Sequence, residues 1–158
     1  MDEAFIKKVQ PNSPEAEQSV IGAMIMDRDA IADVIDIVNA DDFYQKQNGI
    51  LFEAMTELYR EGKPVDLVTL QNKLKKKDVP ESMKSLEFIR DLLEAVPTSA
   101  NAKQYAKIVS EKATLRKLIK VTEDITTECY LGKDDVTEIL DHTEKNVFGL
   151  LQQASGRE

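Results

Sequence analysis

A chain of 158 residues, 42% apolar and 32% charged, falls within the range of globular proteins and has room for one domain or a domain with an extension. Its net charge of −8 works against a phosphate-binding surface, because sequence-independent nucleic-acid affinity rests on clustered Lys and Arg. A single cysteine, Cys129, excludes an internal disulfide and fits a reducing cytosol, and no apolar run approaches the roughly 18 residues of a membrane span.

The expected elements are all helical. Residues 1–12 read as a flexible lead-in. Ser13 is placed to cap a helix over 14–26, with Pro14 at the first helical position, where a missing N–H costs nothing. Glu15 and Glu17 then complement the helix dipole. Gly22 within this helix suggests close packing by another. A second helix is expected over 30–38, and a turn at 41–44 that plants Phe43 in the core. A third over 47–61 carries the pairs Ile50/Leu51, Ala54/Met55 and Leu58/Tyr59, and Gly62 ends it. Asp66 can cap a fourth over 67–77. Its basic end, Lys73 to Lys77, reads as a solvated helix face. A fifth runs over 82–95 and stops at Pro97. With no Trp and 6% aromatic residues, aliphatic side chains must build the core of this head, residues 13–110.

Residues 111–152 carry a different pattern. Leu115, Leu118, Thr122, Ile125 and Cys129 recur three and four apart, and Val136, Leu140, Thr143, Val147 and Leu150 repeat the seam after Gly132. Two helices of about 18 residues, roughly 27 Å long, would form an antiparallel hairpin. The fold class is therefore all-α: a compact multi-helix head followed by a helical hairpin, with 153–158 a tail or the start of a linker. Ile119, Val121, Ile139, Phe148 and Leu151 lie outside this seam and call for a second hairpin or another protein to cover them.

No catalytic constellation can be drawn. The glycines form neither a phosphate-cradling G-x-x-x-x-G-K-[ST] nor a G-x-G-x-x-G. The one histidine, His142, has no second His or Cys to join it in a metal site and reads as a helix-surface residue. Asp41-Asp42 reads as a helix cap rather than an acid pair. Catalytic, cofactor and metal residues are accordingly expected to be none.

One resemblance adds to this reading. Pro11, Ser13 and the run Glu15 to Gly22, then "DDFY" (41–44), "ILFEAM" (50–55), "GKPVDLVTL" (62–70), "AVPTSAN" (95–101), "YAKIVSEK" (105–112) and Leu115 to Ile119 occur in the order and spacing of the N-terminal domain of DnaB-type bacterial replicative helicases. The resemblance covers about residues 9–152. It implies a non-catalytic collar domain of a cytoplasmic DNA-replication protein, whose hairpins pair and build a hexamer as a trimer of dimers. It further implies docking of the C-terminal domain of DnaG-type primase within the primosome. The RecA-type ATPase domain, with its ATP and Mg, is absent from this chain. Primase-contact candidates are then Glu15, Phe88, Ile119 and Ile125, and oligomer-interface candidates are Val121, Ile139, Phe148 and Leu151. Direct strong nucleic-acid binding and membrane association are not expected. Asn48 stands where the family commonly has His, and Lys84-Ser85 where a Gly pair is common. Alternative readings are the helicase-binding C-terminal domain of a primase and a non-catalytic helical adaptor.

Overall fold

The computed structural model describes residues 9–94 and 101–155. Among these the chain is all-α. Helix α1 spans Pro14–Met26, α2 Arg28–Ile35, α3 Lys46–Arg60, α4 Leu67–Lys75, α5 Leu86–Glu94, α6 Ala102–Leu131 and α7 Val136–Ser155, with short 3₁₀ turns at Ala40–Asp42 and Glu81–Lys84. Pro97 and the lead-in before Val9 lie outside the described residues.

Local chemistry explains where these helices begin and end. The Ser13 hydroxyl accepts the Ala16 N–H at 3.2 Å, and Pro14 opens α1. Asp27 closes α1 through its backbone N–H to the Ala23 carbonyl and opens α2 by accepting the Asp29 N–H. This shared cap starts α2 at Arg28 rather than at 30, and the helix ends at Ile35 rather than 38. Helix α3 ends in a Schellman motif. Gly62 at φ +73° donates to Tyr59, and Lys63 donates to Leu58, so two carbonyls of the last turn are satisfied. Asp66 and Thr69 cap α4 reciprocally, each side chain accepting the other's backbone N–H at 2.8 and 2.9 Å.

The fifth helix departs from expectation. Ser85 is extended, at φ −86° and ψ 145°, and its hydroxyl accepts the Phe88 N–H at 3.2 Å. A serine that caps α5 from an extended backbone cannot also sit inside a helix, so 82–95 divides into a 3₁₀ turn and α5.

Contacts divide the chain into residues 12–110 and residues from 111 onward, the latter with the segment before Asn12. The first unit has an aliphatic core. Val20, Ile21, Ala23 and Met24 of α1 belong to it, with Ile31 and Val34 of α2, Leu51, Ala54 and Met55 of α3, Leu70 and Leu74 of α4, and Ile89 of α5. The first turns of α6 add Ala102, Ala106 and Val109. Phe43 is buried beside Phe52, with ring centroids 5.3 Å apart. Gly22 is buried in α1. Gly49 is tightly placed: a Cβ there would stand 2.8 Å from the Ala40 carbonyl oxygen, where the 40–42 turn lies on α3.

In the second unit α6 and α7 form the hairpin, turned at Gly132 with φ +59°. Helix α6 is 30 residues long, about 45 Å at 1.5 Å per residue, because no Gly or Pro interrupts it between Ala102 and Leu131. The buried face is the expected seam only in part, at Ile125, Thr143, Val147 and Leu150. Val121, Ile125 and Glu128 of α6 and Ile139, Thr143 and Val147 of α7 are half-buried, and Leu150 is buried. Leu115, Leu118, Thr122, Cys129, Val136 and Leu140 are exposed. Helix α6 carries two apolar stripes at helical spacing, and the one that packs inward includes a carboxylate. Val121 and Ile139, read from the sequence as lying outside the seam, are on its inner face.

Candidate functional surfaces of the head and hairpin

Within the head, the signature residue Glu17 does more than favour a dipole. It is buried, and its carboxylate accepts the N–H of Tyr44 at 2.7 Å, the N–H of Gln45 at 3.1 Å and the Asn48 amide at 3.1 Å. Gln45 is the N-cap of α3 and makes no side-chain cap of its own. A carboxylate of α1, about 28 residues away in sequence, therefore closes the N-terminus of α3. Asn48 orients this carboxylate, and its own Oδ1 is buried without a hydrogen-bond partner.

The basic end of α4 is not merely solvated. Lys73 Nζ lies 2.8 Å from Glu61 and 3.3 Å from Glu57, and Lys77 Nζ lies 3.0 Å from Glu57 and 3.9 Å from Glu53. Glu53, Glu57 and Glu61 are four residues apart on one face of α3 and form a ladder with α4. Lys73 and Lys63 hold the Glu61 carboxyl down to about 2. Partial burial opposes ionisation of Glu57, but Lys77 and Lys73 outweigh it and keep its carboxyl below the usual range. Glu61 in turn raises the Lys73 ammonium. Near the start of α2, Arg28 donates to the Lys63 carbonyl at 2.8 Å and lies over the Tyr59 ring at 4.8 Å.

The hairpin presents a different surface. Leu140 is 64% exposed, and Phe148 and Leu151 are each 58% exposed. With Val136, these four recur along one side of α7 at intervals of four, eight and three. Leu115 and Leu118 stand exposed on α6. Tyr130 and Leu131 are exposed at its tip.

The candidate contact residues fall in two places. Glu15 is exposed in the first turn of α1, and Phe88 is half-buried on α5 against the head core. Ile119 and Ile125 are half-buried on α6. Arg116 donates to the Pro11 carbonyl at 2.8 Å, which ties the segment ahead of α1 to α6. Sequence reasoning missed Asn48, whose role needs the fold, and the outward stripe through Val136 and Leu140, which it assigned to the seam.

The DnaB-like helicase N-terminal domain family matches residues 9–111. The chain belongs to this family. Over 153 residues it is 35% identical to the replicative DNA helicase DnaB of Geobacillus stearothermophilus and 34% identical to the replicative DNA helicase DnaC of Bacillus subtilis. These matches take in 97% of the chain and 34% of each relative, so the chain spans about a third of the curated relatives' length. It corresponds to their N-terminal domain. The crystal structure of the N-terminal domain of DnaB helicase from Mycobacterium tuberculosis superposes with a TM-score of 0.83 at 34% identity, covering 89% of this chain and 99% of that one. The DnaB N-terminal domain from Helicobacter pylori, described with its interactions with primase, shares the fold at a TM-score of 0.64 and 23% identity, over 82% of this chain and 99% of that one. The DnaB-like assignment sets aside the reading of this chain as a primase domain. No described helix is long and apolar enough to cross a membrane.

Proposed function

We propose that this DnaB-like domain is the N-terminal collar of a cytoplasmic replicative helicase. Its hairpins pair between subunits to build a hexamer as a trimer of dimers, and the collar docks the C-terminal domain of a DnaG-type primase. The parent protein then supplies ATP- and Mg-dependent unwinding from an ATPase domain outside this chain. This domain supplies contacts rather than catalysis. The observation that carries the reading is the exposed stripe Val136, Leu140, Phe148 and Leu151 on α7. Burying a large aliphatic or aromatic side chain is worth about 1.5–3 kcal/mol, so such a stripe favours a partner surface.

Within this reading Phe148 and Leu151 meet a neighbouring subunit, while Val121 and Ile139 brace the hairpin from inside. Glu15, Phe88, Ile119 and Ile125 are the proposed primase contacts. Titration calorimetry of the chain with the C-terminal domain of a DnaG-type primase tests docking, and sedimentation over a range of concentrations tests assembly. Saturable binding and concentration-dependent association are expected. A chain that is monomeric at high concentration and gives no binding heat would overturn the proposal.

A further inference from the structure

The hairpin turn brings together three side chains that the sequence separates. Glu128 lies three residues before the end of α6, Asp134 in the turn and His142 on the second turn of α7. One ligand atom from each lies within 4.8 Å of the other two. The expectation that His142 lacks partners on one face rested on the absence of a second His or Cys; the partners are instead carboxylates brought in from the other helix and the turn. Glu128 Oε2 is a buried atom that accepts no hydrogen bond. His142 Nδ1 lies 3.7 Å from it, too far for one. The 3.7 Å spacing makes an ion pair when the imidazole is protonated, and with a neutral imidazole it suits two ligands sharing an ion. Ligands about 2.0–2.1 Å from a tetrahedral zinc stand about 3.4 Å apart.

We propose that Glu128, Asp134 and His142 bind a divalent transition-metal ion of the zinc class. One nitrogen and two carboxylate oxygens are ligands that zinc accepts, the imidazole selects against magnesium and calcium, and two carboxylates balance the ion's charge. Water completes the coordination. Because the ligands come from α6, the turn and α7, the ion clips the hairpin closed at its tip, below the exposed Tyr130, Leu131 and Val136. The inference does not depend on primase docking.

The test is zinc titration calorimetry on the untagged chain, with Co²⁺ absorption as a report of nitrogen and oxygen coordination. Binding at one site per chain, with a rise in the thermal midpoint, is expected. Since loss of a supporting group already costs about 10–100-fold in metal affinity, His142→Ala and Asp134→Asn should each lose about a hundredfold or more. Both positions are exposed, so the variants should keep their helical circular dichroism. Cys129→Ser should bind as the parent does. Equal affinity in His142→Ala, binding that depends on Cys129 instead, or binding no tighter than for Mg²⁺ would each overturn the proposal.

Discussion

Removing the Glu17 carboxylate should destabilise the head more than any exposed charge change. In Glu17→Ala, the N–H groups of Tyr44 and Gln45 and the Asn48 amide lose their acceptor together. A hydrogen bond to a charged group contributes about 1.5–3 kcal/mol, and a lost N-cap costs about 1 kcal/mol. The three bonds share one carboxylate and are not additive, and water entering the vacated space recovers part of the loss. The expected cost is therefore about 3–5 kcal/mol, well short of three times the single-bond value. Glu17→Gln keeps the shape but sets an amide N–H₂ against one of these donors. Asn48 can soften that clash by turning its unpartnered Oδ1 toward the new amide, so about 1.5–3 kcal/mol is expected. Urea unfolding followed by circular dichroism gives the global cost, with an unchanged slope showing that the native state stays compact. Amide exchange at Tyr44 and Gln45, read by NMR, gives the local one: both should lose protection before the centre of α3 does. A Glu17→Ala variant within about 1 kcal/mol of the parent, with those two amides still protected, would refute the capping argument.

Gly49→Ala should destabilise by about 1–3 kcal/mol in thermal unfolding despite a gain of about 1 kcal/mol in helix propensity, because its Cβ would press on a backbone oxygen 2.8 Å away. The α3–α4 ladder should weaken in acid. Glu61 and Glu57 are held below their usual range, so their contribution is present above about 4.5 and is lost as pH falls toward about 2 for Glu61. The difference in thermal midpoint between the parent and Lys73→Met should shrink across that interval, and a difference that stays constant would dismiss the ladder. If the outward stripe of α7 is the subunit interface, Leu151→Asp should shift sedimentation toward monomer with helicity unchanged, since an unpaired charge in a desolvated contact is costly. Ile119→Asp should weaken primase binding about tenfold or more in calorimetry with little change in melting, whereas Ile125→Asp, on the inner face, should lower hairpin stability as well.

What the sequence by itself determined is mostly what neighbours within four residues decide. Ser13 with Pro14, Asp66 before its helix and Gly62 after α3 act on the adjacent turn, so their roles could be read in the chain before any fold was known. The apolar pairs of α3 likewise needed only helical period. Tertiary structure decided the rest, because those choices depend on what lies across a gap in sequence. Glu17 looked like a dipole residue until the fold set the N–H groups of Tyr44 and Gln45, just ahead of α3, against its carboxylate. Lys73 and Lys77 looked solvated until the acidic face of α3 lay beside them. In the hairpin, α6 has two apolar stripes of similar spacing, and only the packing of α7 selects the one through Val121, Ile125 and Glu128. That same choice turns Leu140 outward and sets Glu128 and Asp134 around His142. Periodicity fixes which residues share a face, but the partner that covers a face is a property of the folded chain.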